Sequence, residues 1–416
     1  MDVDGVTTMR ILAVNAGSTS LKASLYETTA SDTIVEPRTP LWTAHVVWAE
    51  PPAESVISIR ACGSGELSGE TVAHTCLETP GAAIRELLVS LWEGPTAVLP
   101  DASSIDAVVH RVVFGGAQLH GPTRLTPAIR ERIANVTTDA PTHNAVELAI
   151  IDTVSEVLGD EQCQVVVFDT DFHATLPRVA YAYGGPYAWV TAGLRRYGFH
   201  GISHRYAAAR AAHVLGRDLE ALRIVTVHLG GGASVTAVHH GISVDTTMGF
   251  TPMDGLVMAT RAGSVDPGLL LHLLRRGEYT VETLDRALNH ESGIKGLSGL
   301  SGDMQTVVAA AHAGDDRARL AVDVYAYRAR QHIAAMAAAM NGLDALVFTA
   351  GVGEHSPDIR EAICTPLGFL GIEISDAANH AAVVEDRAAS LPTSSVPILV
   401  IHAEENWTMA QMCGRL

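Results

Sequence analysis

Lysine is nearly absent from this sequence: of 28 basic residues, 26 are Arg, and only Lys22 and Lys295 are Lys. Coding bias accounts for such a skew most simply, and it turns the two surviving lysines into a question. Basic clusters are missing as well. With 46 acidic residues the formal charge is −18, and a chain with no cationic run is a poor nucleic-acid ligand, because phosphate neutralisation supplies most of that affinity. Cysteine is scarce: Cys62, Cys76, Cys163, Cys364 and Cys413 are odd in number and lack paired short spacing. That argues against a zinc site and a disulfide framework and fits a reducing compartment. The start, MDVDGVTTMR, has no apolar leader region. Long apolar runs are missing too, since the most apolar helical stretch, 332–340, is Ala-rich and far short of a membrane span. A cytoplasmic protein with no membrane or nucleic-acid partner is expected. What the chain does have is a 47% hydrophobic, 18% charged composition over 416 residues, enough for a large core and two or three domains.

Six short apolar runs read as buried strands: Ile11–Asn15, Ala107–Val113, Val165–Asp169, Ile224–His228, Ala345–Thr349 and Ile398–His402. Helical periodicity is clearest over Asn144–Leu158, His204–Leu215, Pro267–Arg276 and Asp315–Asn341. Residues 28–80, rich in Thr, Ser, Pro and Val, predict hairpins decorating the first half. The strand-turn pattern at LAVNAGSTS returns at VTVHLGGGAS, with Asn15 and His228 213 positions apart. An α/β domain present twice, each copy headed by a phosphate-binding turn, would leave this trace.

Three glycine-rich junctions follow predicted strands. Asn15–Lys22 joins small residues, which let backbone N–H groups approach phosphate, to a cation; it lacks the GK[ST] ending of a Walker A loop. His228, Leu229, Gly230, Gly231 and Gly232 form the second, where three consecutive Gly point to close backbone approach. The third is Phe348–Glu354, leading into a helix start at Ser356-Pro357-Asp358. Arg111 on an apolar strand needs an acid or an anionic ligand, and Asp169 ends a strand where α/β sites collect.

NAGSTSLK, HRVVFGG, VFDTDFHATLP, RYGFHGISH, HLGGGAS, DTTMGFTPMDGLVMATRAG, SGLSGD and FTAGVGE occur in an order that resembles the acetate kinases, from about residue 10 to the C-terminus. The resemblance implies two duplicated ribonuclease-H-like domains of the actin-like ATPase type around a nucleotide cleft, divided as 1–172 plus 403–416 and 173–402. It implies reversible transfer of phosphoryl from ATP to acetate, giving acetyl phosphate and ADP, with Mg²⁺ (Mn²⁺ as the alternative), and a homodimer.

By the same resemblance Asp169, His200 and Arg261 are catalytic, and Arg111, Val113, Phe199 and Pro252 bind the carboxylate substrate. Lys22, the 228–232 turn, Asp303, Met304, Gln305, Gly351, Val352, Gly353, Glu354 and His355 fall on the nucleotide side. Asn15 and Glu405 fall at the metal, with Glu404 as the alternative. A carboxylate acceptor is already ionised at neutral pH, so Asp169 is expected to orient an Arg or a metal-bound water, not to move a proton. Gly231, His355 and Gln305 replace the family's Asn, Asn and Arg, which opens donor choice, including pyrophosphate or another nucleotide. Thr142 replaces a Leu before His143, and propionate or butyrate are alternative acceptors, one methylene being worth only about 1–3 kcal/mol. A nucleotide-switched binding module is a further alternative, disfavoured by the joint presence of Arg111, His200 and Arg261.

Overall fold

The computed structural model describes residues 8–17, 20–47, 55–63, 66–75, 79–136, 141–382 and 385–416. The chain divides into two compact units, Met1–Asp171 with Glu404–Leu416, and Phe172–Ala403. In the first, β1 (Thr8–Ala16), β2 (Ser20–Thr29) and β3 (Trp42–Val47) form an antiparallel meander, continued by β4 (Ser55–Gly63) and β5 (Glu66–Thr75). Beyond β1 come β6 (Ala107–Val112), the short β7 (Thr123–Arg124) and β8 (Gln164–Phe168), in the order β5-β4-β3-β2-β1-β6-β8-β7. Strands β1, β6 and β8 are parallel.

The second unit repeats this plan. Antiparallel β9 (Arg223–Leu229), β10 (Ala233–His239) and β11 (Ile242–Thr246) are followed by β12 (Ala345–Thr349), β13 (Arg387–Ala388) and β14 (Ile398–Val400). The order is β11-β10-β9-β12-β14-β13, with β9, β12 and β14 parallel. Three antiparallel strands followed by two parallel ones thus occur twice, as β3-β2-β1-β6-β8 and as β11-β10-β9-β12-β14, which is the ribonuclease-H-like sheet. The echo between Asn15 and His228 marks equivalent places, because each is the last residue but one of the first strand of its copy, opposite Lys22 and Ser234 respectively.

Burial explains the strand pattern. Ile11–Val14, Val165–Phe168 and Ala345–Phe348 are at most 2% exposed, as befits parallel strands covered on both faces, and so they read as unbroken apolar runs. The expectation for residues 28–80 needs one refinement. β3 is part of the repeated kernel, the counterpart of β11, and only β4 and β5 are additions.

The C-terminal helix Glu405–Cys413 returns to the first unit and packs on β1, β2 and β6. Trp407 is fully buried, edge-on to Tyr26 at 5.4 Å, and its indole N–H donates to the carbonyls of Thr33 and Ile34. At about 25 cal/mol/Å² over ~200 Å², that one side chain contributes up to roughly 5 kcal/mol. Asn406 donates to Ser24 Oγ at 2.8 Å. These contacts fix the first turn of the helix, and with it Glu405. Among the described residues no helix is long and apolar enough to cross a membrane, and Cys62, Cys163, Cys364 and Cys413 are free thiols. Cys76 lies outside the described residues.

Candidate active site

In the first unit the site grows from the C-terminal ends of three parallel strands. Asn15 is the last residue but one of β1, Arg111 the last but one of β6, and Asp169 follows β8. Strand alternation sends neighbouring side chains to opposite faces. His110 is thus turned away to donate from Nε2 to Gln164, with its pKa pushed down to about 4 by burial, while Arg111 joins the other residues. Its Nη2 donates to Asp169 Oδ2 at 2.7 Å, and its Nη1 donates to Asn15 Oδ1 at 3.1 Å and to the Ala16 carbonyl at 3.3 Å. Asn15 Nδ2 in turn donates to Glu405 Oε2 at 2.8 Å. The chain Glu405–Asn15–Arg111–Asp169 is therefore continuous. Asp169 is 1% and Asn15 6% exposed.

The electrostatics are weighted toward acid. Burial opposes the Arg111 charge, but Asp169, Glu405 and Glu147 outweigh it and raise its pKa. The Nε atom of Arg111 and the Thr170 hydroxyl are buried with no hydrogen-bond partner among the described residues. Orphaned donors of this kind ask for a ligand acceptor. Glu147, on the helix Pro141–Leu158, completes the set: both carboxyl oxygens accept from the Val113 N–H, at 3.0 and 3.2 Å. Asn144 on the same helix donates to the Phe114 carbonyl, so the strand exit at Val113–Phe114 is held by side chains from one helix. Lys22 is exposed on β2, paired in the ladder with Asn15. Ser18 and Thr19 of the first turn and the side chains of Thr142 and His143 lie outside the described residues.

The second unit carries its own constellation. The turn Gly230–Gly232 joins β9 to β10, closed by Gly230 N–H donating to the Gly232 carbonyl at 2.8 Å. A Cβ on Gly232 would come within 3.0 Å of His200 Nε2 and 3.7 Å of Arg261 Nη1; the second is an ordinary contact, but the first would require the His200 ring to give way. His200 precedes the helix Gly201–Leu215 in the left-handed region, at φ 57°. A non-glycine residue there stores strain of about 1 kcal/mol or more, a feature that gathers at functional sites. Its ring stacks on His228 at 4.0 Å, and its Nδ1 is bonded to Ser234 Oγ at 2.8 Å. Arg261 donates to the Pro252 carbonyl at 3.1 Å. Phe199 is buried, its carbonyl accepting from His173 Nε2. Val113 lies in the first unit, Phe199 and Pro252 in the second.

Two unlike cationic centres, one on an acid-rich sheet end and one beside a glycine turn, suit a reaction between anions. The model of the Acetokinase family matches residues 10–411.

The chain belongs to the acetokinase family.

It is 46% identical to an acetate kinase of Trichormus variabilis over 409 residues, 98% of this chain and 99% of that one. Its fold is similar to the crystal structure of Porphyromonas gingivalis acetate kinase, with TM-score 0.85 and 34% identity over 98% and 99% of the two chains. It is equally similar to a propionate kinase from Francisella tularensis, with TM-score 0.86 and 31% identity over 98% and 100%. Backbone similarity alone thus does not separate acetate from propionate.

The segments assigned to the nucleotide all lie in the second unit apart from Lys22. Leu229 and Met304 are buried and can offer only their backbones to a ligand. Asp303 caps the helix Met304–His312, accepting from Thr306 N–H and hydroxyl at 2.9 and 2.6 Å. Gly351–His355 lies in a short helix after β12 that is clamped from below. Buried Arg360 donates to the Gly353 and Glu354 carbonyls and to Asn379, and the Glu354 carboxylate takes His402 Nδ1 and Ala403 N–H. Burial first, then neighbouring Arg387, pushes the Arg360 pKa down to about 10. The three departures from the family pattern, Gly231, His355 and Gln305, are all exposed.

Glu147, Ser234 and Arg360 were not anticipated. Glu147 had a signal: an acid on the core-facing stripe with Asn144, Ile151 and Val154. Ser234 had none, because its role arises only from strand pairing.

Proposed function

We propose that the chain transfers the γ-phosphoryl group of ATP reversibly to acetate, giving acetyl phosphate and ADP. The observation that supports this best is Arg111, held by Asp169 and Asn15 at the end of β6 with a buried Nε donor left over. A planar guanidinium is suited to a carboxylate. From the family resemblance we assign Arg111, Val113, Phe199 and Pro252 to the acceptor. His200 and Arg261 we assign to the transferring phosphoryl group, whose transition state spreads charge over its equatorial oxygens. The acceptor oxygen bonds to phosphorus as the bond to the leaving ADP oxygen breaks, and the acceptor, already ionised, gives up no proton. Asp169 then has a positional task, holding Arg111 in register.

Glu405 and Asn15 offer the hard oxygen ligands a Mg²⁺ ion prefers; Glu405 would hold it, with Asn15 beside it, and Mn²⁺ is compatible with the same donors. Such an ion supplies charge neutralisation to the polyphosphate. The global charge of −18 repels both substrates, so these local cations must supply the attraction. ATP is the donor by default, with the exposed Gly231, His355 and Gln305 the places where another donor would be distinguished. We further assign the protein to the cytoplasm, as a homodimer.

The test is formation of acetyl hydroxamate from acetate, ATP, Mg²⁺ and hydroxylamine. Turnover is expected, and its absence with every donor tried refutes the reading. A second reading, propionate phosphorylation, is favoured by the equally good match to a propionate kinase structure; the ratio of kcat/KM for the two acids separates them.

A further inference from the structure

Four of the 19 histidines, His173, His200, His204 and His228, lie together in the second unit. The reaction as proposed uses one. His204 is fully buried, one helical turn after His200. Its Nε2 is 2.7 Å from Ser234 Oγ and its Nδ1 is 2.7 Å from Thr226 Oγ1. Since Ser234 Oγ is also 2.8 Å from His200 Nδ1, an unbroken chain runs His200–Ser234–His204–Thr226. Ser234 and Thr226 are 0% exposed, on the paired strands β10 and β9.

The direction of the chain follows from counting protons. A hydroxyl has one, so Ser234 donates to one imidazole and accepts from the other. Burial, with His173 and His228 adding to it, lowers the His204 pKa well below the usual value; the ring is neutral and carries a single N–H. Thr226 Oγ1 also reaches the Thr236 carbonyl at 3.5 Å. A carbonyl only accepts, so the Thr226 proton points there and its lone pair takes the N–H of His204 Nδ1. Ser234 then donates to His204 Nε2 and accepts from His200 Nδ1–H.

We propose that Ser234, His204 and Thr226 are positioning residues that fix the tautomer of His200, with Nδ1–H donating to Ser234 Oγ, so that a proton on Nε2 makes the ring a double donor to the transferring phosphoryl group. The proposal rests on the function assigned above. With the opposite polarity, the Ser234 proton would occupy His200 Nδ1, and the ring could not become a double donor beside an anionic transition state. The left-handed backbone, the His228 stack and the relay together fix the ring in both orientation and tautomer.

Protein labelled with ¹⁵N-histidine tests this directly at pH 8, with His200 assigned by difference against His200→Asn. The Nδ1–H form is expected in the wild type, with tautomers mixing in Ser234→Ala. An Nε2–H form in the wild type overturns the relay. This measurement needs no turnover, so its failure is distinct from failure of the hydroxamate assay. In kinetics, Ser234→Ala is expected to lower kcat by roughly 10–100-fold, with KM for acetate and ATP held within about threefold. Thr226→Val should lower kcat by about 3–10-fold, and the double variant should be no slower than Ser234→Ala alone. Wild-type kcat in Ser234→Ala, or losses that simply multiply, overturns the proposal.

Discussion

Replacing Glu147 with Gln should abolish a pH dependence that the fold places at one carboxyl. Glu147 is 3% exposed, and burial pushes its pKa up to about 8 against the pull of Arg111 and the Val113 N–H, with Asp169 pushing it further. Between its ordinary value, 4.5, and 8 the folded protein therefore holds a proton that the unfolded chain releases. Stability from this group is complete below the lower value, falls as pH rises through the interval, and is constant above the upper one. At about 1.4 kcal/mol per pH unit the full interval represents roughly 5 kcal/mol, and the part between pH 6 and 8 roughly 3 kcal/mol. Gln keeps the acceptor for Val113 N–H and the volume, but has no proton to lose. Urea unfolding followed by tryptophan fluorescence, with four of the five tryptophans (Trp42, Trp48, Trp92 and Trp407) in the first unit, should show the wild type losing about 3 kcal/mol relative to Glu147→Gln from pH 6 to 8. Activity should report the same proton. Once ionised, Glu147 competes with the acceptor carboxylate for Arg111, and an interaction of ~1.4 kcal/mol is tenfold in binding. KM for acetate should thus rise about tenfold between pH 7 and 9 in the wild type and stay flat in the variant. Acetate is ionised throughout, so its own titration adds nothing. Equal slopes in the two proteins, in both experiments, refute the reasoning.

Other perturbations address the remaining pieces. Asp169→Asn removes the partner of Arg111 and should lower kcat/KM for acetate by about 100-fold while leaving the basic limb in place; a limb lost here but kept in Glu147→Gln would return the proton to Asp169. Gly232→Ala puts a Cβ 3.0 Å from His200 Nε2, and should reduce kcat at least about tenfold with little change in thermal midpoint. Equal loss of stability and activity would show a general packing defect instead. Arg360→Met strips the Gly353 and Glu354 carbonyls of their donor and should destabilise the second unit by about 3 kcal/mol or more. KM for ATP should rise in the same variant, and an unchanged KM would remove Gly351–His355 from the nucleotide site.

How much of this was legible depended on whether the cause was local. The buried parallel strands β1, β6, β8, β9, β12 and β14 stood out because both their faces are covered. Strands β2 and β10 were legible only as a second strand after each small-residue turn, without bounds of their own, because their identity lies in pairing. Arg111 and Asp169 could be suspected from charge at strand ends, and their 2.7 Å contact answers the question of what neutralises a strand arginine. Glu147 was hidden by an ordinary helical pattern, since nothing local says that its carboxyl faces the Val113 N–H. Lys22 earned its notice through scarcity and does pair in the ladder with Asn15; Lys295, exposed on the helix Gly293–Ser298, gained no role.

The duplication also shows how one sheet supports two chemistries. In each copy a polar residue stands one place before the end of the first strand, paired near the start of the second, but the neighbours differ. Around Asn15 the partners are Arg111 and Glu405, charged groups that suit a carboxylate acceptor and a hard cation. Around His228 they are Ser203 and His200, hydrogen-bonding groups packed against a glycine turn. A charged cluster can attract a small anion but tolerates little motion, because each unpaired charge is costly in a buried place. A network of hydroxyls and imidazoles carries no such penalty, and can hold a ring in one tautomer while its far nitrogen changes protonation state. On the function proposed above, capture of the acceptor would fall to ion pairs in the first unit, and precision at the phosphoryl group to hydrogen bonds in the second. A charged residue introduced at Ser234 or Thr226 would defeat that division, whereas a neutral donor of the same size should preserve it.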